Sequence, residues 1–429
     1  MKRIYFFVII ISTFLFFSCS VSKKINRAAN RDLLQSEGFE NAHTGISIYE
    51  PATGKYWYNY QANKYFTPAS NTKLATCYAA MKYLGDSLVG IKYKPVNDST
   101  VVIKGMADPS FLHSDYTNSP VFTFLKKYKS IQIVSSDFDD YLGSGWGWDD
   151  YMEDYMAQRS AFPIYGNTLK IHWKNDGSLT FMPSYFKIKT LVKEKLLTGF
   201  KSEKPWDSND FTIENGYSKF QEIPFNPYEK TLQQLLEDSL HAQVTIIDNY
   251  TGTLMHIVHS QPVDSLLKSM MHRSDNFYAE QTLLMVSEKL LGLMSDQRII
   301  DTLLKTDYAL MPQKPGWVDG SGLSRYDIFS PKDFVFILKK MKNDFGMERI
   351  KNILPTGGTG TIRSYYRQDS GYIFVKTGTL NGVVALSGFL YTHRNKLLIF
   401  SILVNNHRGS ATTIRKGVEK FIQHIRDKY

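Results

Sequence analysis

Ser70-Asn71-Thr72-Lys73 decides the reading of this 429-residue chain through what surrounds it. Behind it Leu74, Cys77, Met81 and Leu84 recur at helical spacing, Gly85 offers a C-cap, and Pro68 marks a boundary just upstream. The string therefore opens a helix. Ser70 and Lys73 stand at i and i+3, on one face and within side-chain reach. A serine hydroxyl is a weak nucleophile until a base takes its proton, and a lysine serves when desolvation or other cations lower its pKa. The positive end of the helix dipole favours a neutral Lys73. Ser-x-x-Lys also occurs as a plain N-cap followed by a solvated lysine, so the argument needs the rest of the chain.

Two further strings supply it. Ser274-Asp275-Asn276 precedes the helix-patterned Phe277-Tyr278-Ala279-Glu280, where Ser or Asn would ordinarily cap the helix. In the chemical reading Ser274 passes a proton to a leaving amine, Asn276 holds a peptide carbonyl and interacts with Lys73, and Asp275 points elsewhere. Lys376-Thr377-Gly378 stands at the end of an alternating apolar strand. The Lys376 ammonium and the hydroxyls of Thr377 and Thr379 suit a terminal carboxylate, through charge-assisted bonds. Gly378 leaves room for substrate backbone against the strand edge. The backbone N–H groups of Ser70 and Thr379 offer an oxyanion hole.

Around these strings the pattern is that of an α+β fold. Gly45 to Glu50 and Lys55 to Tyr60 alternate apolar and polar residues about Pro51-Ala52-Thr53-Gly54, which predicts a hairpin. Tyr372 to Val375, Val383 to Tyr391 and Leu397 to Val404 predict three antiparallel strands, and Ile414, Val418, Phe421, Ile422 and Ile425 an amphipathic last helix. Strands at both chain ends with helices between them imply one sheet in which the ends meet. Residues 92–226, rich in short β-like runs, aromatics and turns, form an inserted, mostly β domain, leaving 37–91 and 227–429 as the catalytic domain. Asp108-Pro109-Ser110 and Gly145-Trp146-Gly147-Trp148-Asp149-Asp150 lie in the insertion.

The chain start carries an address. Lys2 and Arg3, then the apolar run Ile4 to Phe17, form a signal peptide over residues 1–18, too short for the ~20 apolar residues of a spanning helix. Leu15-Phe16-Phe17-Ser18-Cys19 resembles a bacterial lipobox, which makes Cys19 a lipidation site; plain secretion is the alternative. Residues 19–36 then read as a polar tether. Cys77, the other cysteine, sits among helix-patterned residues, so no intramolecular disulfide is available to the folded part. The net charge of +10 is scattered and lacks a nucleic-acid signature, so it implies attraction to an anionic envelope rather than nucleic acid.

The ordered set resembles the D-alanyl-D-alanine carboxypeptidase/endopeptidases of the class C low-molecular-mass penicillin-binding proteins. The resemblance runs from about Gly38 to the C-terminus and includes Asp319-Gly320-Ser321-Gly322-Leu323-Ser324-Arg325. It implies a penicillin-binding/β-lactamase-like domain, with an antiparallel sheet flanked by helices and an insertion between the first two strings. It also implies that Arg325, Asn381 and Asp149 or Asp150 contact the diamino acid side chain of a peptidoglycan stem peptide; a bracing turn is the alternative for Asp149 and Asp150. Leu354-Pro355-Thr356-Gly357-Gly358-Thr359-Gly360 reads only as a loop.

The expected function is a periplasm-facing serine acyl-transfer enzyme that cuts peptidoglycan stem peptides through an acyl-enzyme on Ser70 and is blocked by β-lactams. Its membrane partner is its own N-terminal lipid, and neither a cofactor nor a metal is implied. His-Glu-x-x-His and Gly-x-Ser-x-Gly are both missing from the sequence, which leaves zinc peptidase and α/β-hydrolase readings without support. The alternatives are a β-lactamase-like serine hydrolase and a catalytically idle peptidoglycan-binding lipoprotein.

Overall fold

The computed structural model describes residues 21–136, 138, 140–193, 202–214 and 220–429. The signal peptide over 1–18 and Cys19 lie outside the described residues. The chain forms two compact units. The first comprises the described residues of 21–78, 271–274 and 302–429; the second comprises the described residues of 79–270 and 275–301, a wider body than the 92–226 segment read as the insertion.

A five-stranded sheet organises the first unit. Its spatial order is Ile373–Leu380, Val383–Tyr391, Leu397–Asn405, His43–Glu50 and Lys55–Tyr60, so the two chain ends pair at its centre. Every neighbouring pair is antiparallel, with Ile46 opposite Ile402 and Lys376 opposite Ser387. This is the α+β sheet expected. The first strand of the C-terminal three runs past Val375 to Leu380, so Lys376, Thr377 and Gly378 lie within it rather than at its end. Cross-strand pairing with Val383 to Leu390 extends it, where propensity at Lys and Gly would have stopped it.

One face of that sheet closes a core with the last helix, Ala411–Lys428, through Ile414, Val418, Phe421, Ile422 and Ile425. The segment expected to be a tether shares this core. Residues 21–34 are helical, ending in a π-turn at Asn30–Leu34, and Ile25, Ala28, Ala29 and Leu33 are buried. Val21, Ile25, Ala28 and Leu33 form an apolar stripe at helical spacing, half hidden in the sequence by Lys23, Lys24, Arg27 and Arg31. The Pro331–Ile353 helix packs on the Leu397–Asn405 and His43–Glu50 strands; its N-terminus carries Ser330 and Asp333 in a capping box.

The second unit holds a five-stranded mixed sheet in the order Gln243–Ile247, Ser130–Val134, Thr100–Gly105, Ser87–Asn97 and His256–Pro262. Its first three strands run parallel, a pairing that short β-like runs did not announce. Two three-stranded sheets accompany it, and a core that includes Ile131, Phe162, Leu169, Phe225 and Leu235 joins these elements.

Candidate active site

Pro68 is followed by a 3-10 turn, Ala69–Thr72, and the α-helix begins at Lys73 and runs to Tyr83. A 3-10 turn has three residues per turn, so side chains at i and i+3 eclipse. That geometry sets Lys73 Nζ 2.9 Å from Ser70 Oγ. Lys73 is fully buried and also donates to the Ser321 carbonyl at 2.8 Å. Ala69 holds φ of +48°, a left-handed conformation uncommon for a side chain with a Cβ, directly before the serine.

The turn is pinned from both sides. Asn71 Nδ2 donates to Ser387 Oγ at 2.7 Å, on the strand next to the Lys376 strand. Thr76 Oγ1 donates to the Gly320 carbonyl at 2.6 Å. Asp319, itself fully buried, accepts the backbone N–H groups of Gly322 at 2.6 Å and Ser324 at 2.7 Å, which curls the 319–324 loop and presents the Ser321 carbonyl to Lys73.

Lys376 reaches the same unit's third component. Its Nζ donates to Ser274 Oγ at 2.7 Å and to the Thr377 carbonyl at 2.7 Å. Burial, and then the charge of Lys73, hold the Lys376 ammonium well below the usual lysine range. Ser274 lies between the helices Val263–Arg273 and Asn276–Leu291 with φ of +63°. The cap of the second helix is Asp275, whose carboxylate accepts the Tyr278 N–H at 2.9 Å. That frees Ser274 from the capping role its position suggested; the two strained non-glycine residues here are Ser274 itself and Ala69, the residue before Ser70.

The structure thus brings Ser70, Lys73, Ser274 and Lys376 into the first unit through direct contacts. Thr377 and Thr379 are turned to other partners: Thr377 Oγ1 donates to Thr361 Oγ1 at 2.8 Å, and Arg415 Nη2 donates to Thr379 Oγ1 at 2.7 Å. Gly378 has a reason nearer than substrate. A Cβ there would lie 2.5 Å from the Pro68 carbonyl oxygen and 3.1 Å from Ala69 Cβ, so glycine lets the strand close on the serine turn. Arg325 Nη2 donates to the Asn381 carbonyl at 3.1 Å, which joins those two residues at the turn after the strand.

Asn276 and Asp149 belong to the second unit. Asn276 Nδ2 donates to the Tyr155 carbonyl at 3.0 Å. Asp149 stands exposed on the 3-10 turn Trp148–Asp150. Burial first, and then the hydrogen bond with the neighbouring Asp150, raise the Tyr155 hydroxyl to about 12. Sequence reasoning missed Thr361, Arg415 and the Ser321 carbonyl. The first two carry no local signal, since a threonine in a glycine-bearing loop and an arginine on a helix are ordinary. The third was within reach, because Asp-Gly-Ser-Gly is a tight loop that presents backbone. Among the described residues no group of His, Cys, Asp or Glu is placed to hold a metal ion.

The chain is 24% identical to penicillin-sensitive carboxypeptidase A of Dictyostelium discoideum, over 87% of its own length and 85% of that protein's. It is 23% identical to D-alanyl-D-alanine carboxypeptidase DacB of Haemophilus influenzae, over 86% and 87% of the two chains. Its fold matches the crystal structure of penicillin-binding protein 4 from Haemophilus influenzae with a TM-score of 0.72 at 20% identity, covering 94% of this chain and 98% of that one. A model of the D-Ala-D-Ala carboxypeptidase 3 (S13) family matches residues 27–425, nearly the whole described chain, and this protein belongs to that family.

Proposed function

We propose that Ser70 is the nucleophile of this serine-type D-Ala-D-Ala carboxypeptidase and Lys73 its base, on the strength of one observation: a buried lysine amine 2.9 Å from a serine hydroxyl, with no histidine interposed. The protein acts on peptidoglycan in the bacterial envelope and binds β-lactams, as its family does.

Lys73 takes the proton of Ser70 as Oγ bonds to the D-alanine carbonyl carbon. Charge then develops on the carbonyl oxygen, where the backbone N–H groups of Ser70 and Thr379 are donors. The C–N bond breaks and the departing amine receives its proton through Ser274, which Lys376 holds at 2.7 Å. Water hydrolyses the resulting ester and Ser70 regains its proton. When the amine belongs to terminal D-alanine the act is that of a carboxypeptidase; when it belongs to a cross-linked diamino acid, that of an endopeptidase.

Asn276 holds the substrate carbonyl. Lys376 meets the terminal carboxylate, with Arg415 as a second cation on Thr379 of the same strand. Arg325 and Asn381 meet the diamino acid side chain, and Asp149 reads its ammonium. Cys19 is the lipidation site. Among the described residues no helix is long and apolar enough to cross a membrane.

Mass spectrometry of the purified protein after penicillin treatment tests the assignment. The expected adduct maps to Ser70 and disappears in Ser70→Ala. An adduct on another residue, or one that persists in Ser70→Ala, overturns it.

A further inference from the structure

Arg415 lies outside all three sequence strings, yet the fold ties it to the strand of the third. It stands early in the last helix, Ala411–Lys428, and its Nη2 donates to Thr379 Oγ1 at 2.7 Å. Among the described residues no carboxylate pairs with it: Glu419, one turn further along the helix, accepts the Tyr366 N–H instead. Arg415 also borders a small hollow of about 20 Å³ with Thr361, Thr377, Leu386 and Val418, and it is the only charged side chain in that wall among the described residues.

Counting donors and acceptors shows what this corner accepts. A guanidinium has five N–H groups and no acceptor, and Thr379 takes one of the five. Thr379 Oγ1 acts there as acceptor and keeps its own O–H to give. Thr361 Oγ1 accepts the Thr377 hydroxyl at 2.8 Å and likewise keeps its O–H. These side chains hold a surplus of donors around an uncompensated cation, which an anion answers, and a planar carboxylate matches the guanidinium fork. Lys376, by contrast, is fully buried and already gives two of its three N–H groups to Ser274 Oγ and the Thr377 carbonyl.

The substrate delivers such an anion to this place. The carboxylate of the leaving residue follows the scissile carbonyl by one residue, about 3.5 Å along an extended chain. With the carbonyl oxygen at the Thr379 N–H, that carboxylate falls beside the Thr379 side chain, to which Arg415 is fastened. We propose that Arg415 is a specificity-determining residue: it selects leaving groups with a free carboxylate next to the departing amine and discriminates against the same groups as carboxamides. The inference rests on the reading of Ser70 as nucleophile and the Thr379 N–H as oxyanion donor. It deepens that reading by naming the substrate class, namely terminal D-alanine as the free acid and cross-links whose diamino acid keeps that carboxylate unamidated.

The test compares two D-Ala-D-Ala peptides that differ only at the C-terminus, one a free acid and one a carboxamide, using the full chain, Arg415→Ala and Arg415→Lys. The unaltered protein cleaves the acid with a kcat/KM about a hundredfold above that of the amide, the scale set by hydrogen bonds to a charged group. Arg415→Ala lowers the acid about thirtyfold, mainly through KM, and the amide by no more than about twofold; Arg415→Lys, with its charge but without the fork, keeps part of the preference. Equal kcat/KM for acid and amide in the unaltered protein, an undiminished preference in Arg415→Ala, or equal losses on both substrates in both variants overturns the proposal. Penicillin methyl ester, which lacks the free carboxylate, locates the acylated residue by mass spectrometry without calling on Arg415. The acid-to-amide ratio is read from hydrolysis whichever residue is acylated, so the two readings fail separately.

Discussion

Gly322 approaches Ala69 so closely that a Cβ at Gly322 would stand 1.9 Å from the Ala69 carbonyl oxygen. The residue before Ser70, the proposed nucleophile, is thus seated on the floor of the 319–324 loop. Gly322 also holds φ of +79°, which only glycine adopts without strain. Gly322→Ala must displace backbone, and the nearest backbone is the serine turn. Penicillin acylation is expected to slow by about a hundredfold or more, the scale at which a misplacement near 1 Å acts. A fluorescent-penicillin time course measures it, with circular dichroism to show that the fold is kept.

Asp319 supports the same loop by a different means. Replacing it with alanine strands the buried N–H groups of Gly322 and Ser324, each at a cost of about 1–3 kcal/mol. The Ser321 carbonyl then loses its aim at Lys73. The expected signature is a fall in kcat with KM less affected, plus an altered pH–rate profile, because Lys73 is the group that the loop orients. Steady-state kinetics on a D-Ala-D-Ala peptide across pH checks it, and unchanged kinetics would remove the loop from the mechanism.

Lys376 is expected to set an alkaline limit. Its ammonium is held below the ordinary lysine range by burial and by Lys73, so it loses its charge at a lower pH than a solvated lysine. If charged Lys376 grips the carboxylate, kcat/KM declines as pH rises through that lowered value. Lys376→Arg keeps its charge across the whole range; it is expected to lower activity but to abolish the Lys376 contribution to the limb. Folding responds in the opposite sense. The unfolded chain binds more protons than the folded one between the lowered and the ordinary value, so this group's contribution to stability increases with pH over that window.

Asp108 gives a second linkage with its own sign. It is buried, accepts hydrogen bonds from Ser110 N–H and Oγ and from Ser260 Oγ, and is nonetheless pushed up, because desolvation outweighs those bonds. A carboxyl raised on folding favours the folded state below the ordinary carboxylate value and loses that contribution as pH rises through the raised one. Thermal melts over the acidic range are expected to show Asp108→Asn losing less stability than the unaltered chain as pH climbs. Parallel curves would sink the assignment.

Leu33 tests the N-terminal helix. It is completely buried in the core shared by the sheet and the last helix, and Leu33→Ala is expected to cost about 2–5 kcal/mol in urea denaturation. A tether residue would cost nothing.

What could be read in advance follows from the range of the interaction concerned. The hairpin 45–60 and the helix after Ser70 were legible because alternation, turn residues and a 3.6-residue stripe are local. The strand through Lys376 was read short, since its extension depends on pairing with Val383 to Leu390. Residues 21–34 hid an apolar stripe among four basic residues, and a charge-rich segment resembles a tether until something covers its other face. Parallel strands at 100–105, 130–134 and 243–247 join parts of the chain too distant for any window to relate. Within the candidate site, the three strings named Ser70, Lys73, Ser274 and Lys376, and the structure pairs Lys73 with Ser70 and Lys376 with Ser274 by hydrogen bonds. Arg415 and Thr361 were silent, since only the folded chain sets them beside Thr379 and Thr377.

The left-handed backbone at Ala69 and Ser274 has an evolutionary corollary. At Ala69 glycine would sit at ease, so a screen that rewards heat resistance alone would accept it there for up to about 1 kcal/mol, whereas at Ser274 the lost hydroxyl would take a partner from the buried Lys376 ammonium. That drift would slacken the turn on which the proposed nucleophile stands, so descendants selected for toughness alone would be poorer catalysts.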